Sequence, residues 1–286
     1  MIPLLYQLSY TGMGTDDSGI VSGCPDRRSS SAPGDVHRPD SILASLVALL
    51  WPESCRLCAC PPSRGKSLCG DCQTRLPPLS PDCCRCLHSG PDRAGDCRGC
   101  RAGAPLRPMI HLSTHEGALR ELILLGKRQH RDDVAELLST ALSAIIPFRW
   151  PGIRNASAVV PVPRHWLRRC TQGVSFAERL AIPLASKLGL RCRHLLRRRR
   201  GPTQVSLSVG RRKCLAAGAF QPRSPRHLAL ARPNKVVLID DVYTTGATLR
   251  AATRALEASG LEVQLWIVAS VSPGSDPGRD YGMATR

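Results

Sequence analysis

The chain has 286 residues, of which 42% are hydrophobic and only 4% aromatic, and its 40 Lys and Arg against 22 Asp and Glu give a formal charge of +18. That length allows one large domain or two unequal ones, with a core that must be built from Leu, Val, Ile and Ala. The longest apolar run, Ile42 to Trp51, is about half of what crosses a bilayer and reads as a short amphipathic helix between Ser41 and Pro52, so no membrane span is expected. The opening MIPLLYQLSYTGMGT carries no basic residue and no cleavage site follows it, which argues against a secretory signal and for a cytoplasmic protein.

Residues 1–40, with stretches such as GCPDRRSSSAPGDVHRPD, are rich in Ser, Gly, Pro and Asp without period and are expected to be disordered. A cysteine-rich module over 41–107 follows, then an α/β domain over 108–273 and a tail over 274–286.

Fourteen cysteines are present, and eight of them form four C-x-x-C pairs: Cys55 with Cys58, Cys69 with Cys72, Cys83 with Cys86, and Cys97 with Cys100, a fourteen-residue repeat run four times. Each pair lets two thiolates face one ion at about 2.3 Å, and two pairs complete the tetrahedral shell that zinc prefers. Clustering of this kind points to metal ligation in a reducing compartment rather than to a disulfide framework. Eight thiolates suit two structural ions at most; the spacing leaves open whether neighbouring pairs combine or interleave. A closed four-thiolate shell has no open position for chemistry, so the expected role is to replace a core too small to hold itself. Cys60 and Cys84 adjoin the pairs as possible substitutes, while Cys24, Cys170, Cys192 and Cys214 read as ordinary thiols.

Beyond residue 107 the pattern changes to helices and short apolar runs. GALRELILLGKRQHRDDVAELLSTALSAI places Leu119, Leu122, Ile123, Val134, Leu137, Leu138 and Leu142 at helical spacing, as one or two amphipathic helices. A short strand over Ala158 to Val162 leads into PRHW, and a helix over Phe176 to Leu188 stops at Gly189. KVVLI reads as a fully buried strand, TLRAATRALEAS as a helix stopped at Gly260, and VQLWIVASV as a further strand. The alternation implies a parallel sheet flanked by helices.

Charge is spread unevenly along this chain. No acid occurs between Glu178 and Asp240, a stretch with fifteen Lys and Arg including RRRR at Arg197 to Arg200. Such a stretch attracts polyanions, a pyrophosphorylated metabolite or nucleic acid, although no interleaved aromatics are present to stack bases. An ordinary solvated loop explains it equally well. His111, His115, His130, His194 and His227 lack metal-ligand spacing and read as surface or packing residues; Trp51, Trp150, Trp166 and Trp266 read as core rather than as base-stacking platforms, with Trp166, the last residue of PRHW, left open.

The most informative stretch is VVLIDDVYTTGAT, residues 236 to 248. A buried strand delivers Asp240 and Asp241 to its carboxyl end, the side on which open α/β sheets bind ligands. Thr244, Thr245, Gly246, Ala247 and Thr248 then turn into a helix expected near Leu249, offering hydroxyls, backbone N–H groups and a helix N-terminus to a phosphate. Glycine at 246 permits close backbone approach. The carboxylates would accept hydrogen bonds from a vicinal diol, and a phosphate beside a diol describes ribose 5-phosphate.

This stretch resembles the phosphoribosyl pyrophosphate (PRPP) motif of type I phosphoribosyltransferases. Joined to the four-pair cysteine module, it is similar to the ComF/GntX family, over about residues 42 to 272. The resemblance implies a type I phosphoribosyltransferase-like fold behind a double zinc module, a link to DNA uptake, and transfer of a phosphoribosyl group from PRPP with Mg²⁺ to an acceptor, releasing pyrophosphate. By the same resemblance Lys127 follows the family's helix, Arg164, Arg168 and Arg169 in VVPVPRHWLRR serve the diphosphate, and QVSLSVGRRKCLAAGAF matches the segment with Gln204, Leu207, Arg211 or Arg212 and Phe220. The chain departs from the pattern at Cys170 to Ser175 (CTQGVS) and at Cys214, both in the half of the domain that chooses the acceptor. No general base is evident. Two functions therefore stay open, a transferase and a non-catalytic PRPP-binding protein that meets single-stranded DNA or a DNA-processing partner; homo-oligomers are common among such transferases.

Overall fold

The computed structural model describes residues 54–63, 65–79, 107–164, 173–199, 219–223 and 234–273. Outside them lie the expected disordered start, the helix at Ile42 to Trp51, four of the expected zinc ligands (Cys83, Cys86, Cys97 and Cys100), Cys84, Cys170, Cys214, Trp166, Arg168, Arg169, Gln204, Leu207, Arg211, Arg212, His227 and the tail.

A short helix, α1 (Gly70–Thr74), belongs to the cysteine segment. The α/β region then runs β1 (Met109–Ile110), β2 (Ser113–Thr114), α2 (Gly117–Arg128), α3 (Asp132–Arg149), a 3-10 turn (Pro151–Asn155), β3 (Ala158–Pro161), α4 (Phe176–Lys187), β4 (Arg191–Cys192), β5 (Leu196–Arg198), β6 (Phe220–Pro222), β7 (Lys235–Tyr243), α5 (Ala247–Glu257) and β8 (Glu262–Val271). β1, β8, β7, β3 and β4 lie side by side in that order, with β2 also against β8, and every pairing in this sheet is parallel. β5 and β6 form a separate antiparallel pair.

β7 occupies the centre because a strand covered on both faces must be apolar throughout, and Val236, Val237, Leu238 and Ile239 are all fully buried. The strand's two-residue period divides them. Val237 and Ile239 join the cluster formed by α2, α3 and α4, whereas Val236 and Leu238 join the cluster under α5 with Phe220 and Leu249.

The helices follow the expected spacing, with a strengthened start on α4. Ser175 Oγ accepts the Glu178 N–H at 3.1 Å while Glu178 Oε2 accepts the Ser175 N–H at 2.9 Å, a reciprocal cap that satisfies two otherwise orphaned donors. Gly189 and Gly260 stand past the ends of α4 and α5 with φ of 67° and 80°, as the stops in the sequence require.

Most ends shift by one or two residues, and two of the shifts bear on the acids. β7 runs through both acids to Tyr243, because β8 goes on pairing with it, Asp240 opposite Val268 and Val242 opposite Ser270. α5 starts at Ala247, two residues early, because Gly246 at φ 68° turns the chain directly into the helix.

Candidate functional site

The pairing of β7 is asymmetric at its carboxyl end. On the β8 side hydrogen bonding continues to the Tyr243 carbonyl, which accepts the Ser272 N–H at 2.8 Å. On the β3 side it stops where Ile239 O accepts the Val162 N–H at 3.0 Å, and β3 then leaves through Pro163 to Arg164. Asp240 and Asp241 therefore stand beyond the last hydrogen bond between β3 and β7 among the described residues, at the carboxyl end where open parallel sheets take ligands.

The two carboxylates have different surroundings. Asp241 forms an ion pair with Lys127 of α2, Nζ to Oδ1 2.9 Å, with both side chains mostly buried. Lys127 lies in the last turn of α2, where the helix dipole favours a cation. Asp240 accepts the Asp241 backbone N–H through Oδ1 at 2.9 Å. Burial pushes the Asp240 carboxyl up to about 7 and the neighbouring charge of Asp241 adds to the rise, against the Asp241 N–H, Lys127 and Arg164. A carboxylate so poorly solvated gains from hydroxyl donors or a cation delivered by a ligand.

The turn beyond β7 is built for close approach. A Cβ at Gly246 would lie 2.6 Å from Tyr243 Oη and 2.9 Å from Arg250 Nη1, and the positive φ strains any other residue. Arg250 also donates to the Thr245 carbonyl at 2.7 Å, tying the first turn of α5 to the loop. Thr244 and Thr245 are exposed, Ala247 and Thr248 half-buried. Thr248 does not cap α5; Gly246 stands at the cap without a side-chain bond.

His115, read from the sequence as a surface or packing residue, belongs to this edge. It follows β2, donates its backbone N–H to Val271 O at 2.7 Å and pairs through Nδ1 with Ser270 Oγ at 2.8 Å. Burial holds its pKa below the usual value, Lys127 and Arg120 act in the same direction, and Asp241 opposes them. Nothing in local spacing signals this placement, since it depends on β2 pairing with β8 from 157 positions away, Ser113 opposite Ser270. Elsewhere the bland readings hold: His111 and Trp266 are buried, with Trp266 Nε1 donating to Thr253 Oγ1 at 2.9 Å, and Trp150 packs against the core.

In the cysteine segment the first two neighbouring pairs combine. Cys55, Cys58, Cys69 and Cys72 bring four sulfurs within 4.8 Å of one another, with Cys58 and Cys69 at 3.5 Å. A tetrahedral zinc thiolate centre separates its sulfurs by roughly 3.8 Å, so the cluster fits such an ion. Its acidities point the same way. Burial opposes ionisation of Cys55, yet hydrogen bonds from the backbone of Cys58, Cys69 and Leu57 bring it down to about 6. Burial and the neighbouring thiols push Cys72 strongly upward, and four close thiolates require a cation. Cys60 is exposed and lies outside the cluster. The other two pairs expected to ligate zinc, Cys83 with Cys86 and Cys97 with Cys100, fall outside the described residues, so the four-sulfur cluster at Cys55 to Cys72 is the part of that expectation the structure places. The described helices include none long and apolar enough to cross a membrane.

Parts of the chain are similar to known proteins. The Phosphoribosyl transferase domain pattern matches residues 170–286. Competence protein F of Haemophilus influenzae is 26% identical over 211 residues, covering 70% of this chain and 88% of that protein. Two solved structures are also similar: orotate phosphoribosyltransferase from Aeropyrum pernix, at 18% identity over 58% of this chain and 72% of its own (TM-score 0.33), and adenine phosphoribosyl transferase from Trypanosoma brucei, in complex with AMP, pyrophosphate and ribose-5-phosphate, at 14% identity over 57% and 83% (TM-score 0.34). The chain is thus similar to phosphoribosyl transferase domains over residues 170–286 and to a competence protein F over 211 residues.

Proposed function

We propose that the carboxyl edge of β7 binds PRPP and that the protein transfers its phosphoribosyl group to an acceptor, releasing pyrophosphate. The observation that carries this reading is the sequence of groups along one edge. Two carboxylates come first, then the exposed Thr244 and Thr245, then a left-handed glycine that turns the chain into the N-terminus of an eleven-residue helix. Thr244 to Thr248 take the 5-phosphate, as N–H donors and a helix N-terminus suit an anion. Asp240 and Asp241 accept hydrogen bonds from the ribose hydroxyls, and Asp240 gains the partners its burial denies it. Lys127 and Arg164 flank the carboxylates and meet the diphosphate. Mg²⁺ fits as an ion carried on the diphosphate oxygens, where it would neutralise the leaving group.

A calorimetric titration with PRPP and Mg²⁺ tests the binding. We expect saturable binding in the native chain and its loss in Asp240→Asn/Asp241→Asn, followed by pyrophosphate release with one member of a nucleobase and amine panel. No binding by the native chain would refute the proposed PRPP site.

The second reading, a non-catalytic PRPP-binding protein that associates with single-stranded DNA, draws on the basic strand β5, paired with β6. Arg197 and Arg199 are exposed there, and Arg198 lies 5.7 Å above the Phe220 ring. Binding without turnover, together with DNA affinity that falls steeply with salt, would favour it.

A further inference from the structure

α2 has a different neighbour at each end. Its first turn rests on the cysteine segment: the Ala118 N–H donates to the Arg75 carbonyl at 3.1 Å, and Arg75 follows α1 directly, three residues beyond Cys72. Gly117 has a φ of 51°, and a Cβ there would stand 2.7 Å from the same carbonyl oxygen. Glu121, one turn on, pairs with the Arg75 guanidinium, and Arg56 donates to the Asp133 carbonyl at the start of α3. Cys55, Leu68, Cys69 and Cys72 share one apolar cluster with Leu119, Leu122 and Ile123. At the far end, about 15 Å along the axis from Gly117 to Lys127 at helical rise, Lys127 meets Asp241 at 2.9 Å.

A packed helix transmits displacement along its length, because close-packed interiors have little room to absorb strain. We propose that the cysteine segment is a positioning element for Lys127. The backbone contact between Gly117 and Arg75 sets the axial position of α2, and that position decides whether the lysine reaches Asp241. The link stands on the contacts just given; its consequence for diphosphate affinity rests on reading the β7 edge as a PRPP site. By linkage, diphosphate binding and metal retention by the four cysteines then strengthen each other to the same degree.

The test uses the full chain loaded with zinc, as Gly117→Ala and as Glu121→Gln, beside native protein stripped of zinc by a chelator. Without any ligand, the acylation rate of Lys127 by limiting acetic anhydride, read by peptide mass spectrometry against Lys187, should rise about two- to fivefold when the ion pair loosens. Magnesium pyrophosphate affinity, measured calorimetrically, should fall about tenfold in Gly117→Ala and fall no further when Lys127→Met is combined with it, since residues acting through one another are not additive. Unchanged zinc content in Gly117→Ala shows that the four-cysteine site itself survives. Should Gly117→Ala fail to fold, Glu121→Gln and the stripped protein carry the same readings.

Unchanged Lys127 labelling in every perturbed form, or additive losses in the double variant, would overturn the proposal. Shifted labelling in a protein that binds no pyrophosphate would uphold the link between Gly117 and Lys127 and overturn the PRPP reading.

Discussion

The four-cysteine cluster and the carboxyl edge of β7 both gather like-charged groups, with opposite consequences for the fold. The clustered cysteines lie within eighteen positions, Cys55 to Cys72, and are buried except for Cys58. An ion at their centre would turn mutual repulsion into a staple for a segment with little core of its own. The acids of β7 stand half-buried beyond a run, Val236 to Ile239, that is already covered on both faces, and Asp240 is held up to about 7 by burial and by Asp241. An ion would make the first cluster stabilising; the second costs stability unless a partner compensates its charge. The lesson is that a close set of ionisable groups indicates function only after one asks what the fold would lose without it.

The largest effect that could break this comparison is loss of a thiolate. Cys72→Ser should lower stability by about 3–5 kcal/mol, a fall of roughly 10 °C in melting temperature, with loss of bound zinc by elemental analysis. A variant that melts like the native chain would place the staple elsewhere.

At the edge the expected loss is of binding. Asp241→Asn removes a charged acceptor worth about 1.5–3 kcal/mol, so PRPP affinity should fall roughly ten- to a hundredfold. Gly246→Val should do at least as much by driving Tyr243 and Arg250 out of place in the turn, at a folding cost of about 1–2 kcal/mol for its positive φ.

Asp240→Asn sharpens the contrast because its two effects have opposite signs. A carboxyl raised to about 7 in the folded chain binds its proton more tightly there than in the unfolded chain, whose value is near 4. Its stabilising effect is present at low pH and is lost as pH rises from about 4 to 7. Asparagine removes that loss, so at pH 8 the variant should be more stable by about 1 kcal/mol, roughly 2–4 °C, while failing to bind PRPP. Melting curves at pH 5 and pH 8 check the sign; a destabilised variant at pH 8 would show that the charge of Asp240 supports the fold.

The smallest effect concerns His115. Its pKa lies below the usual value, so its support for the fold is present above about pH 6.5 and is lost as pH falls through the folded value. His115→Asn, which breaks the bond to buried Ser270, should cost about 0.5–1.5 kcal/mol at pH 8 and less at pH 5, as chemical denaturation would show.

Much of this was legible in the sequence because it is local. C-x-x-C spacing fixes which thiols meet within a pair, a short apolar run rich in β-branched residues such as Val236 to Ile239 reads as a strand covered on both faces, and glycine before a helical pattern marks the turn at 246. The alternation of these elements gives the parallel sheet, and the acid pair with its threonine and glycine run marks the candidate site at its edge.

Tertiary structure alone decided the rest. The combination of the first two cysteine pairs, the arrival of Lys127 on Asp241 and of His115 on Ser270, and the seating of α2 on Arg75 each join residues whose separation in sequence carries no period. Their meeting depends on which strands lie side by side and on how helices pack across them, and side-chain pattern along one element does not encode that distance. The extension of β7 through both acids has the same origin: paired carboxylates disfavour a strand locally, and β8 keeps them in the ladder by supplying partners on one side while β3 ends and leaves the other side open.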